Sequence, residues 1–408
     1  ESVLPDSLLG ANSLTCSLTG ICIGLLFIAA LNIVPGAFSL RRVQTATIGA
    51  TMLLVVTMAS LASFWHIGAP RFPVVWASAA IGVVFPFATY NVLIPVVATS
   101  YAAWLVGPLR MGTDFSTTLT TLLGEAQNPS GTHNKFPSSY LFSGYALLAG
   151  MGLFAWLAIV WFGIGLDSED VSNDEHDSSK KVMGEEHVES RPLVRSPRGG
   201  LAAGVEEHIV EEEMPDMLGS LADRLLGLGY PGSLSMPIGI ASWAMAVEWG
   251  FVAVVSDIGG EMTDPMGCSG SRGAWVARTA ATANSICLLL GSWGSILFPC
   301  PRGVFIFLGG LVFLAFLLMS LCIFGVARAA WMTGLGQTIF IICNAVVGCL
   351  EAFLVCTAYR LIGEAQGMQR VKRRNASTVL ALLSEAGCCL FGTILGFLVD
   401  AGYLRCVD

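Results

Sequence analysis

Eight ionisable side chains fall within or at the edges of long apolar runs: Asp114, Glu125, Glu248, Asp257, Arg278, Glu351, Glu385 and Asp400. A charge at the centre of a bilayer costs at least ~2.5–3.5 kcal/mol even on the lenient insertion scale, so it must face protein or a water-filled path. Glu248, Glu351 and Glu385 stand nearest the middle of their runs, whereas Asp114, Glu125, Asp257 and Asp400 stand near ends, where hydration is the simpler reading. Amides and hydroxyls join them at depth: Thr89, Tyr90 and Asn91 in one run, Ser116 and Thr117 in the next, and Asn284 and Asn344 further on. Each alone reads equally well as an interhelical hydrogen bond. Spread over both halves of the chain, the set reads as the lining of a polar path through the membrane.

Other chemistry is not spelled out. Gly227-Leu-Gly229-Tyr-Pro-Gly232 satisfies the GxGxxG string, but no strand precedes it and Pro231 interrupts it, so it reads as a loop before a helix rather than a dinucleotide site. His176, His187 and His208 lie in a solvated acidic stretch, while His66 and His133 fall in separate loops. No Ser/His/Asp set and no zinc-ligand spacing can be assembled from them, so neither an enzyme nor a bound metal or cofactor is expected.

The elements that must carry these residues follow from composition. The 408 residues are 54% hydrophobic and only 12% charged, with a mean hydropathy of +0.70; a soluble domain carries about 25% charge. Residues 167–224 alone hold 16 of the 29 acidic and 6 of the 21 basic residues. What is left is too sparse in charge to solvate a surface, which excludes a soluble globular enzyme, a nucleic-acid binder and a disordered chain. The partner is the lipid bilayer, and the net charge of −8 belongs mostly to one segment.

Crossing the hydrocarbon takes roughly 20 apolar residues. Ten segments qualify, at about 14–36, 45–65, 73–99, 102–125, 139–166, 236–258, 273–298, 303–326, 335–361 and 377–401, as uninterrupted runs unlike the short alternating strands of a membrane barrel. The expected fold class is therefore an all-α polytopic membrane protein. It divides into a helix bundle over 1–166, an acidic and largely disordered loop over 167–235, and a second bundle over 236–408. Within the loop, Met217, Leu218, Leu221, Leu225 and Leu226 recur at helical spacing and fit either a short amphipathic helix on the membrane face or a transient one. With alternating helices, Arg41, Arg42, Arg110, Arg302, Arg370, Lys372, Arg373 and Arg374 share one side with the loop, against Arg71, Lys135, Arg272, Arg328 and Arg405 on the other. The richer side is the cytoplasmic one. Both ends of the chain then face outward, which one further N-terminal helix would repair; the chain begins at Glu1 rather than Met.

Several strings, in order, resemble the eukaryotic riboflavin transporters of the animal solute-carrier type. They are Leu31-Asn32-Ile33-Val34-Pro35-Gly36, Phe64-Trp65, Thr89-Tyr90-Asn91-Val92-Leu93-Ile94-Pro95, Gly112-Thr-Asp-Phe-Ser116 with Ala126-Gln127, Ala283-Asn284 with Pro299 and Arg302, Gly348-Cys349-Leu350, and Glu385-Ala-Gly387. The similarity is patchy, covers about four-fifths of the chain and is strongest over 81–166 and 275–402. It departs from the family at Ser285, near Phe353-Leu354 and at Glu385, and in a first helix reduced to Val3-Leu4-Pro5.

The resemblance implies eleven helices in the full protein, of which ten lie here, in a two-bundle architecture like that of major-facilitator or nucleoside transporters. It implies alternating access around a mid-membrane site, riboflavin as the small-molecule substrate, and the plasma membrane as location. The flavin ring would stack on aromatics such as Tyr90, Trp243 or Trp249. Thr89, Asn91, Ser116, Gln127 and Asn284 would bind the ribityl chain and ring edge, with Glu248, Glu351 or Glu385 contacting the substrate or coupling transport to pH. Two alternatives stay open: an equilibrative nucleoside carrier, and a membrane scaffold or receptor that recruits a partner through its acidic loop. The family also carries cysteines corresponding to Cys268 and Cys406, which alternation puts on the outer, oxidising side. Their pairing, pairing with Cys16, or two free thiols are the three outcomes.

Overall fold

A computed structural model describes residues 40–64, 93–98, 105–127, 135–162, 232–265, 271–365 and 370–400. Among them all regular structure is helical. In chain order the helices are α1 Leu40–Phe64, α2 Val106–Gln127, α3 Ser138–Phe162, α4 Gly232–Met245, a π-helical segment Ala246–Val252, α5 Ala253–Met262, α6 Ser271–Leu297, α7 Arg302–Ile323, the single turn α8 Arg328–Trp331, α9 Gly334–Gly363 and α10 Arg370–Asp400.

Six stretches are long and apolar enough to cross a membrane: Arg42–Ser63, Ser139–Phe162, Arg272–Leu297, Arg302–Ile323, Gly334–Gly363 and Asn375–Leu395. These six agree with expected spans to within a few residues. Two further expected spans are helical but different in kind. α2 is diluted by Arg110, Asp114, Glu125 and a row of threonines. The expected helix over 236–258 is α4, the π segment and α5 joined end to end, so no single regular helix is long. The expected span 14–36 lies outside the described residues, as do most of 73–99, of which 93–98 are helical, and the acidic loop up to Gly232. The count of ten helices thus remains an expectation. One expectation is corrected: Arg110 does not sit in a loop. It is in the second turn of α2, with 3% of its surface exposed.

α6 is the hub. It packs along α9, and its other faces meet α2 and α5. α10 lies on the π segment and α4, α7 lies on α9, and α1 pairs with α3. Directions follow from individual contacts. Asn284 meets Asn344 and, further along both helices, Arg360 donates to the Ser295 carbonyl at 3.0 Å, so α6 and α9 run the same way. Thr118 meets Ser285 and Asp114 meets Ser292, so α2 runs against α6. The α6–α7 and α9–α10 turns therefore share one end of the molecule, where Arg302 and Lys372 are exposed and Arg373 donates to the Gly363 carbonyl at 2.7 Å. This is the basic end. The opposite end is tied by Arg272, which donates to Gln337 at 3.1 Å, and by Gln337, which donates to the Thr263 carbonyl at 2.9 Å. There Thr333 caps α9 by accepting the amide of Gly336 at 3.1 Å.

Candidate functional site

Where α2, α6, α9 and the π segment meet, buried polar groups form a continuous ladder. Its lower rungs are amides near the middle of the membrane. Asn284 Nδ2 donates to Glu248 Oε2 at 3.0 Å and to the Asn344 carbonyl at 2.9 Å. Ser256 donates to Asn344 Oδ1 at 2.9 Å, and Asn344 Nδ2 returns to the Phe340 carbonyl at 2.9 Å. Each buried polar group must find a partner because leaving one unmade costs about 1–3 kcal/mol. Glu248 reaches this position from the π segment, whose wider turn shifts the register of the side chains that follow it, a feature frequent at functional sites.

Toward the basic end the ladder becomes ionic. One terminal nitrogen of Arg110 lies 2.9 Å from both oxygens of Glu351, and its Nε lies 3.2 Å from Asp114 Oδ1. Arg110 and Asp114 share α2 at i, i+4, whereas Glu351 comes from α9. Asp114 also accepts the Ser292 hydroxyl from α6. The Arg110 guanidinium lies 6.0 Å from the centroid of the Trp249 ring, at the outer limit of a cation–π contact. Asp114 and Glu351 have no measurable exposure and Glu248 has 6%. Glu248 feels the charges of Glu351, Arg110 and Asp114. Three carboxyl groups therefore share one buried guanidinium, in a setting where removing water makes every such charge matter.

Sequence reasoning found half of this ladder. Glu248, Asn284 and Glu351 are brought together as expected, and Asn344 joins them. Arg110 and Asp114 were missed, the first read as a loop cation and the second as a hydrated helix end. The available signal was their i, i+4 spacing within a helix otherwise filled by threonines, which puts both charges on one face. Arg278, also expected at depth, lies on α6 with its Nε donating to the Ala274 carbonyl at 3.3 Å.

The other expected site residues are elsewhere. Ser116 is exposed on α2, with its hydroxyl donating to the Thr113 carbonyl at 2.7 Å. Gln127 closes the α2–α3 connection by donating to the Phe136 carbonyl at 3.2 Å, about 20 Å along the helix from Asp114 at 1.5 Å per residue. Trp243 belongs to an aromatic cluster with Phe313, Phe316 and Phe391, at ring distances of 6.1, 5.3 and 5.7 Å. That is packing between α4, α7 and α10. Glu385 is buried on α10, one turn before Cys388, whose thiol lies 3.4 Å from the Met245 carbonyl. Thr89, Tyr90, Asn91, Cys268 and Cys406 lie outside the described residues.

No family model and no curated protein sequence matches this chain. Solved structures do. The proton:xylose symporter XylE bound to 6-bromo-6-deoxy-D-glucose, a major facilitator superfamily protein, superposes with a TM-score of 0.56 at 13% identity, covering 98% of this chain and 82% of that one. The fucose:proton symporter FucP of E. coli gives a TM-score of 0.42 at 14% identity, covering 96% of this chain and 91% of that one. The first of these likenesses, taken with the six membrane-length apolar helices, gives the architecture: this is a multi-pass membrane protein with the fold of the major facilitator superfamily.

Proposed function

We propose that the protein is a membrane transporter working by alternating access, with riboflavin as its solute. The observation that carries the transport reading is the ladder from Asn344 through Glu248 to Arg110. A dozen or more polar contacts inside apolar spans are costly to keep in lipid and are retained where a solute or ion path requires them. They join helices from the two halves of the chain, which is where a two-bundle carrier holds its solute.

Riboflavin rests on the ordered strings that resemble its eukaryotic transporters, and three ladder members fall in or beside them: Asp114, Asn284 and Glu351. The chemistry is compatible. The ribityl chain is a polyol, as is the sugar moved by the symporter of the same fold, and Asn284, Glu248 and Glu351 offer amide and carboxyl groups at the spacing of vicinal hydroxyls. Trp249, beside Arg110, offers a flat face for the flavin ring. Plasma-membrane location belongs to the same resemblance.

The test is uptake of labelled riboflavin by cells expressing the full-length protein against empty cells, with competition by excess unlabelled riboflavin or adenosine. Saturable uptake displaced by riboflavin and not by adenosine is expected. Equal displacement by adenosine points to a nucleoside carrier, and no uptake above empty cells overturns riboflavin as the solute.

A further inference from the structure

Resting on the alternating-access reading, we infer that the seam between α2 and α6 is the gate at the basic end, seen here closed, and that Arg110 changes partner when it opens. The seam is closed from the basic end to about mid-membrane. Gly107 lies flush on Ile296, Asp114 accepts from Ser292, Thr118 donates to the Ser285 carbonyl at 2.6 Å, and the Thr121 and Ser285 hydroxyls are 3.1 Å apart. These contacts use only the last half of α6, the half that ends in Leu297.

What marks the seam as one that parts is a doubling of its polar contacts. Nearly every group that reaches across it also has a partner on its own helix. Thr118 Oγ1 is 2.8 Å from the Asp114 carbonyl, Thr121 donates to the Thr117 carbonyl at 3.1 Å, and Ser285 donates to the Ala281 carbonyl at 3.0 Å. Arg110 repeats the pattern with charge, since Asp114 is on its own helix and Glu351 is on another. When α2 withdraws, the hydroxyls and the guanidinium keep partners that travel with them. Unmade buried polar groups would otherwise hold the seam shut. Glu351 has no such second partner on α9 among the printed contacts of the cluster, so the Arg110–Glu351 pair is the latch. Within the C-terminal half the pattern is different: Asn284 and Asn344 hold α6 to α9 through a backbone carbonyl.

The geometry supplies its own probe. A Cβ built on Gly107 lies 3.9 Å from the Cβ of Ile296, close to the mean of about 3.8 Å in disulfides. The same Cβ would lie 2.6 Å from Ile296 Cγ1, but replacing both residues by cysteine removes that clash. In full-length Gly107→Cys/Ile296→Cys protein carrying a protease site in the 167–235 loop, oxidation in membranes should leave the two cleaved halves joined until reduced, and neither single variant should do so. Riboflavin uptake should fall at least tenfold on oxidation and return on reduction. Glu351→Gln should slow the crosslink severalfold, and Arg110→Glu/Glu351→Arg should restore part of the rate.

No crosslink under oxidation would show that the seam is not closed in the membrane and overturn the proposal. Full crosslinking with unchanged uptake would show that the seam does not part during transport, and overturn it equally. A crosslink whose rate ignores Glu351→Gln would remove the latch. Absence of uptake before oxidation, with the crosslink forming, is instead a failure of riboflavin as the solute.

Discussion

α6 presents two faces that differ in how they are held. Toward α9 it is fixed by contacts that cannot be made twice. A Cβ on Gly348 would lie 2.8 Å from the Asn284 carbonyl, and Gly291 lies directly on the Cys349 carbonyl, so the two backbones touch without side chains between them. Small residues at a helix interface permit that approach, which drives association where no hydrophobic effect acts between helices. Toward α2 only Gly107 lies flush, and the remaining contacts are hydroxyls and a guanidinium with alternatives on their own helices. One face behaves as the interior of a rigid body. The other behaves as an interface.

The largest expected effect tests whether the ionic cluster is balanced by Arg110 alone. Arg110→Ala strands Asp114 and Glu351 together and should cost about 3–5 kcal/mol, the usual penalty for breaking a buried pair. Glu351→Gln leaves the Arg110–Asp114 pair in place and should cost clearly less. Thermal melts of the purified protein in detergent would compare them; equal losses would mean that Asp114 contributes nothing to holding the guanidinium.

The rigid face is probed next. Gly348→Val drives a branched side chain into the Asn284 backbone, and overpacking of this kind costs about 1–3 kcal/mol. A lower melting temperature with little surviving folded protein on size exclusion is expected, whereas Gly112→Ala, on α2 with open space around it, should be silent. Asn284→Ala removes a donor shared by Glu248 and the Asn344 carbonyl and should cost about 1–3 kcal/mol, together with a loss of riboflavin uptake at unchanged surface expression.

The smallest effect is the sharpest for the comparison. Thr118→Val deletes a hydroxyl that bonds both across the seam and to its own helix. A mobile interface predicts a change of under about 1 kcal/mol, the net worth of one ordinary hydrogen bond, with altered transport rate and an unaltered melt. A destabilisation as large as that of Gly348→Val would erase the distinction between the two faces.

Much of the scaffold was legible because lipid imposes one strong rule. Runs such as 303–326 and 335–361 must be helical to satisfy their backbone, and they became Arg302–Ile323 and Gly334–Gly363. The rule fails where composition dilutes it. α2 reads as a marginal span because its polar face is buried against protein, and a positive-side count took Arg110 for a loop residue for the same reason. The π segment left no signal, since Ala-Val-Glu-Trp-Gly-Phe-Val has nothing that marks a widened turn.

The sequence by itself determined a polytopic helical membrane protein, the polarity of its ends, and the fact that Glu248, Asn284 and Glu351 must be accounted for at depth. Hydrophobic length and charge scarcity are local properties, and each apolar run carries its own requirement whatever surrounds it. Only the tertiary structure decided which groups meet. Arg110 and Glu351 are 241 residues apart, and no periodicity relates them; their contact exists because α2 packs against α6 and α9 with a particular rotation. That rotation is set by where Gly107 and Gly348 allow close approach and by which hydroxyls find carbonyls, which are pairwise terms between distant segments. The same terms make one face of α6 fixed and the other separable.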